Sequence, residues 1–243
     1  MIFVGIMAGL GAGNMAARAA GINPLRVYVA TLLLLVPALI GAKALYVITH
    51  WELYKRTPRL VFKRNQGGAA LYGALALSIP ASLPVLAFLR ISFGAFWDVT
   101  VFSMLTAMIF GRVGCLLNGC CAGRLTHSWI GMHLPDEEGE WAQRIPTQCL
   151  EAGWGVLLLI TAILLRSSVL FSGGLFLLIA AGYALGRLGF ESTRAETERA
   201  GGFTIHHALS VVIIVVSLAT FTARWPITQE VLRWLTVLPA TLM

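Results

Sequence analysis

The stretch VYVATLLLLVPALIGAKALYVIT, Val27 to Thr49, holds one charged side chain, Lys43, in twenty-three positions. About 20 mostly apolar residues carry a helix across the hydrocarbon of a bilayer. A helix is the form such a segment takes there, because in lipid the backbone polar groups must bond internally. The same test, applied outward along the chain, finds six more stretches. Together they predict spans at about 1–17, 27–49, 68–89, 95–110, 147–165, 169–186 and 203–222. The first lacks the basic opening of a secretory signal and is read as a span. The third contains Pro80 and Pro84, breaks that membrane helices tolerate when neighbours satisfy the freed carbonyls.

Composition agrees. The 243 residues are 58% hydrophobic and 12% charged, with a mean hydropathy of +0.80, whereas soluble domains carry about twice that charged fraction. The expectation is an all-α integral membrane protein. It has seven transmembrane helices in a single polytopic domain, 1–243, with an extramembrane loop region at about 111–145. The net charge of +7 would suggest nucleic acid in a soluble chain. Here the loop cations suit anionic headgroups instead, so a membrane and no nucleic acid is expected.

Loops of alternate sides differ in charge. One side, after helices two, four and six, carries 12 of the 18 Lys and Arg. By the positive-inside rule that side is cytoplasmic. Its longest loop opens with GRVGCLLNGCCAGR, Gly111 to Arg124, which packs two arginines, one asparagine, four glycines and three cysteines into fourteen positions. Further on, Asp136, Glu137, Glu138 and Glu140 read as a solvated acidic face, and Trp129 and Trp141 as headgroup-level anchors. No internal repeat or low-complexity tract is present.

Charges at membrane depth are costly and mark function. Arg112 begins the quoted loop. Gln148 and Glu151 open helix five in IPTQCLEAGWG. Arg187, Glu191 and Arg194 close helix six in GRLGFESTR, at i, i+4 and i+7, one helical face. Two guanidiniums around one carboxylate leave a positive excess that suits a phosphate, and Arg112 adds a third cation. Tyr72, between small residues in GGAALYGALAL, is an interfacial anchor or a hydroxyl reaching a polar site, and its neighbours let helices approach closely.

Three uses of Cys115, Cys120, Cys121 and Cys149 stay open: an all-thiolate zinc site, a redox dithiol, and small buried residues in a tight loop. C-x4-C-C lacks the closely spaced pairs usual in zinc sites. Gly111, Gly114, Gly119 and Gly123 favour the tight loop, since glycines permit left-handed turns and expose backbone amides. No metal is expected.

These motifs resemble those of the prolipoprotein diacylglyceryl transferases. GRVGCLLNGCCAGR is similar to that family's signature loop, roughly G-R-x-G-N-x-x-N-G-E-x-x-G, through Arg112, Gly114, Asn118, Gly119 and Gly123. IPTQCLEA resembles H-P-S-Q-L-Y-E-A through Pro146, Gln148, Glu151 and Ala152. GRLGFESTR resembles R-F-x-x-E-x-x-R through Arg187, Glu191 and Arg194. GGAALYGALAL and GAKALYVITHWELY resemble two earlier segments, and the likeness runs in order from about residue 27 to 222.

The resemblance implies a transferase of the bacterial cytoplasmic (inner) membrane. Such an enzyme moves a diacylglyceryl group from phosphatidylglycerol, or a similar anionic glycerolipid, to the lipobox cysteine thiol of a prolipoprotein signal peptide. It releases glycerol 1-phosphate and uses no cofactor. The family's topology puts the signature loop on the outer face, against the positive-inside reading. The implied catalytic set is Arg112, Arg187, Glu191 and Tyr72, with Glu191 orienting Arg187 and Arg194. Asn118, Gly114, Gly119, Gly123, Gln148, Glu151 and Arg194 would bind substrate. The chain departs from the family pattern at Tyr72 (histidine), Cys115 (asparagine), Cys120 (glutamate), Thr147 (serine) and Leu150 (tyrosine). Two other readings stand beside this one: a membrane thiol oxidoreductase using Cys115, Cys120 and Cys121, and a non-catalytic lipid-binding or transport paralogue.

Overall fold

Asn23 starts a long helix. Its side-chain oxygen accepts the backbone N–H groups of Leu25 at 3.0 Å and Arg26 at 3.3 Å, which a helix otherwise leaves unpaired at its first turn. Pro24 follows at the first helical position, where a missing N–H costs nothing. The computed structural model describes residues 1–49, 51–56, 71–136, 139–168, 171–194 and 205–224. The elements are α1 (Ile2–Ala19), α2 (Pro24–Thr49), α3 (Trp51–Arg56), α4 (Leu71–Leu89), α5 (Phe93–Leu117), β1 (Met132–Pro135), β2 (Trp141–Arg144), α6 (Thr147–Leu165), α7 (Gly174–Glu191) and α8 (Ile205–Arg224).

Six helices among the described residues are long and apolar enough to cross a membrane: α2, α4, α5, α6, α7 and most of α8. Large apolar side chains stand outward on them, such as Leu39, 61% exposed, and Phe88, 85% exposed. A soluble fold would bury such a surface, so the protein is a multi-pass helical membrane protein. α1 occupies the first expected span, and α6 has the ends expected for the fifth.

Three expectations need correction. α5 does not stop near 110 but continues to Leu117, so Arg112 and Cys115 are helical and do not belong to the loop. Gly111 and Gly114 do not break the helix. At Gly114 the missing side chain leaves room for Met1, whose Cβ would lie 2.9 Å from an added Cβ. α7 is displaced toward the C-terminus, to Gly174–Glu191, because its start is set by a partner on α5 described below. The architecture is all-α, as expected, with one short hairpin in the long loop; finally, the acidic run of that loop is not wholly solvated. β1 and β2 form an antiparallel hairpin in the long loop, pairing Met132 with Arg144 and Pro135 with Trp141. Asp136 closes its turn by accepting the Glu140 N–H at 2.9 Å and pairs with Arg144 at 2.5 Å, so this member of the acidic run is partly buried rather than solvated. Glu137, Glu138 and the expected span residues 68–70, 169–170 and 203–204 lie outside the described residues.

The chain groups into two compact units, one of residues 14–96 and one of residues 1–13 with 97–243. In the first, α2 and α4 cross at Gly41 and Gly73. A Cβ on either would come within 2.2 Å of the other's carbonyl oxygen, the close approach that small residues allow between membrane helices.

In the second unit, α5, α6 and α7 share a core of Val101, Leu105, Leu158, Ala162, Leu175 and Ile179. Asp98, near the start of α5, accepts the N–H of Gly173 at 2.7 Å through Oδ2 and that of Phe176 at 2.9 Å through Oδ1. A carboxylate at a helix N-terminus satisfies orphan donors and complements the dipole. This cap sets the register of two helices that run in the same direction. Arg112 lies fourteen residues beyond Asp98 and Arg187 fourteen beyond Gly173, each about 21 Å along its helix. Asp98→Ala is expected to lower stability by about 1–2 kcal/mol. Thermal unfolding in detergent reads this as a fall in Tm, with a smaller fall for Asp98→Asn.

Candidate active site

The end of α5, the start of α6 and the end of α7 meet on one side of the second unit around a single carboxylate. Glu151 Oε2 pairs with Arg112 Nε at 2.5 Å. Glu151 Oε1 pairs with Arg187 Nη1 at 3.0 Å and with Arg194 Nη2 at 2.8 Å. Arg194 also donates to Oε2 at 3.1 Å, which makes its grip bidentate. Arg187 Nη2 reaches Glu191 Oε2 at 2.8 Å. The side chains of all five are at most 17% exposed. Three guanidiniums and two carboxylates leave a net charge of +1 in a setting shielded from water, where charge interactions are strong.

Glu151, and not Glu191, is therefore the hub. Glu191 pairs with Arg187 one helical turn away, as its spacing predicts. Arg194 does not share that helical face, because α7 ends at Glu191 and the chain turns, with Arg194 N–H bonding the Glu191 carbonyl at 3.2 Å. The turn swings the Arg194 guanidinium onto Glu151. Burial alone would lower the Arg194 pKa, but the Glu151 carboxylate outweighs it and holds the group above its ordinary value.

The quoted loop is stitched to this centre through its backbone. Gly123 and Arg194 form an antiparallel bridge, and the Arg124 N–H donates to the Thr193 carbonyl at 2.9 Å. Thr147 and Thr193 hydroxyls lie 3.0 Å apart. The Gln148 amide, 2% exposed, donates to the Cys120 carbonyl at 2.9 Å, so its role in these contacts is to hold the loop. Gly119 is buried in a left-handed conformation at φ 70°. Asn118 is exposed just past the end of α5. Tyr72 is buried on α4 in the other compact unit.

A cleft opens beside the ion pairs. Arg112, Glu151 and Arg187 line it together with Met108, Trp154, Tyr183 and Phe190. It is a narrow cleft, open on one side to solvent. The apolar and aromatic lining escapes motif reading, yet its signal is present. Each member lies three or four residues from a charged member of its own helix: Met108 from Arg112, Trp154 from Glu151, Tyr183 and Phe190 from Arg187. Such residues share a helical face.

The thiols of Cys115, Cys120 and Cys121 lie within 4.8 Å of one another, and Cys149 is outside that group. Burial pushes the Cys120 thiol up, and hydrogen bonding with Cys115 together with burial pushes Cys121 well above the usual thiol range. Thiol exchange needs a thiolate, the form that these shifts disfavour at Cys120 and Cys121.

A family model described as prolipoprotein diacylglyceryl transferase matches residues 1–223. The chain belongs to this family of transferases. Among its relatives is the phosphatidylglycerol–prolipoprotein diacylglyceryl transferase of Listeria innocua serovar 6a, 33% identical over 77% of this chain and 70% of its own length. Enzymes of the same name from Bacillus cytotoxicus and Bacillus cereus are 30% and 28% identical over 97% of this chain and 90% of theirs. The ion-pair centre of this prolipoprotein diacylglyceryl transferase family member thus draws on three of the five sequence segments that carried the resemblance.

Proposed function

We propose that the protein transfers a diacylglyceryl group from phosphatidylglycerol to the lipobox cysteine thiol of a prolipoprotein, releasing glycerol 1-phosphate. In this reading it works in the bacterial inner membrane with seven spans, and the signature loop faces outward. The observation that carries it is the buried cluster of Arg112, Arg187 and Arg194 with Glu151 and Glu191, positive by one charge and set beside a cleft with apolar and aromatic lining. An anionic glycerolipid has the matching character, a phosphate next to acyl chains.

The phosphate takes up guanidinium donors that the carboxylates leave unused, and competes with Glu151 for those they share. The cleft has no room for a whole ligand, whose pockets run from about 300 Å³. Lipid entry therefore goes with separation of at least one arginine from Glu151. The acceptor thiol loses its proton, its sulfur forms a C–S bond to the terminal glyceryl carbon, and the C–O bond to phosphate breaks with its electron pair on oxygen. Arginines on the departing phosphate stabilise that charge where it develops. A cationic site also favours the thiolate. Tyr72, where the family has a histidine, is the candidate proton acceptor. Its unperturbed pKa of about 10 makes it a weak base, so Tyr72→Phe reports whether it acts at all.

The test is complementation in cells depleted of their own diacylglyceryl transferase. Arg112→Ala and Arg187→Ala are each expected to cut lipidation of a reporter lipoprotein by at least about 100-fold, with the protein still present in the membrane. Full lipidation by both variants overturns the site. Labelled phosphatidylglycerol with a lipobox peptide, given to the purified chain, separates transfer from mere lipid binding.

A further inference from the structure

Cys115 lies in the last turns of α5, and Cys120 and Cys121 follow the helix end. Gly119 and Cys121 both take left-handed backbone, at φ 70° and φ 57°. For glycine that is free. For a residue with a Cβ it costs about 1–2 kcal/mol, and strain of this kind gathers at functional sites. Here it folds the chain back on the helix end and brings the three sulfurs within 4.8 Å of one another. Sulfurs sharing one metal ion at about 2.3 Å stand about 3.8–4.0 Å apart. Closing on an ion requires relative shifts of about 1 Å or less. All three thiols are half-buried, open enough for an ion to enter.

Charge favours the same conclusion. Arg112 stands three residues before Cys115 on α5, about one helical turn away, and Arg194 is bridged to Gly123, two residues after Cys121. Three thiolates around a divalent ion carry a net −1, the complement of the +1 on the arginine cluster. We propose that Cys115, Cys120 and Cys121 bind one thiophilic metal ion of the Zn²⁺ and Cu⁺ class, and that the loaded site silences the neighbouring arginines toward anions. Binding replaces three S–H bonds with three metal–sulfur bonds and releases three protons to solvent, with no change of oxidation state. Thiolate ligands select soft ions, and a bound ion's own charge drives the protons off its ligands. The silencing rests on the function proposed above, whereas the metal site does not.

Titration of the chelator-stripped protein in detergent with Co²⁺ as probe, and separately with Cu⁺, tests the site. Expected are one ion per chain and a sulfur-to-metal charge-transfer band. Affinity should fall at least about tenfold in each of Cys115→Ser, Cys120→Ser and Cys121→Ser, and stay unchanged in Cys149→Ser. Absence of the band, or equal loss in Cys149→Ser, overturns the site. Melting of the metal-free variants identifies any that fail to fold, and the remaining two then decide. Transfer from labelled phosphatidylglycerol should fall at least about tenfold on saturation with Zn²⁺, recover with chelator, and resist Zn²⁺ in a variant that no longer binds it. Unchanged transfer with Zn²⁺ bound overturns the silencing. A metal-free chain with no transfer overturns the proposed function instead, and the cobalt titration then judges the site alone.

Discussion

Glu151→Ala will cost the folded protein about 3–5 kcal/mol, the amount lost when one partner of a buried ion pair leaves its counter-charges uncompensated. The expectation follows from the count of partners. Arg112, Arg187 and Arg194 all share this carboxylate, whose side chain is 7% exposed. Without it three guanidiniums face one another with Glu191 as the remaining carboxylate of the cluster. Removing one arginine is milder, because Glu151 keeps two others. Thermal unfolding in detergent should rank Glu151→Ala below each single Arg→Ala variant, and membrane accumulation should follow that order. An unfolding midpoint for Glu151→Ala equal to that of Arg112→Ala would show that the charges are not compensated through Glu151.

A double substitution sharpens the test. Apolar residues often replace a buried ion pair at little cost. Glu151→Leu combined with Arg194→Met should therefore recover part of the stability lost by Glu151→Leu alone, with a coupling of about 1–3 kcal/mol between the contacting sites. Transfer should not return, since the donor lipid loses a cation. Stability and activity thus separate, as expected if the cluster balances its own charge and also grips an anion.

The membrane character was legible because hydropathy is a local property. Helix α6 runs from Thr147 to Leu165 as read from its apolar run. The arginine set was legible because charges stand out in an apolar chain. The hub was not. Arg187 and Glu191 sit four apart, a spacing that sequence displays. Glu151 reaches partners 36 and 43 positions away, a distance that no helical period encodes. The end of α5 was misplaced because glycine reads as punctuation, while Gly111 and Gly114 are helical. The hairpin was missed because its strands are four residues each and its turn was hidden in an acidic run. The thiol cluster was unreadable for a related reason. It depends on Cys121 adopting positive φ, which a cysteine rarely does.

Gly123→Ala should abolish reporter lipidation, and Gly111→Ala should leave it intact. At Gly123 a Cβ would stand 2.0 Å from the Ile145 carbonyl oxygen and 2.7 Å from Thr147 Oγ1, far inside any contact distance. Neither neighbour can retreat. The Ile145 carbonyl accepts the Thr147 N–H at 2.8 Å where α6 begins, and Thr147 is fully buried against Thr193. The loop must move instead, and its other side carries the bridge to Arg194. Displacing it by about 1 Å, the misplacement that can cost a catalytic site about 100-fold, draws the Arg194 backbone away from the position that aims its guanidinium at Glu151. Gly111 has no atom within 4 Å of the same added carbon and lies inside α5, where alanine is the better helix former by about 1 kcal/mol. The two substitutions add the same methyl group to the same fourteen-residue stretch. Retained lipidation in Gly123→Ala would mean that the loop and Arg194 are not mechanically joined.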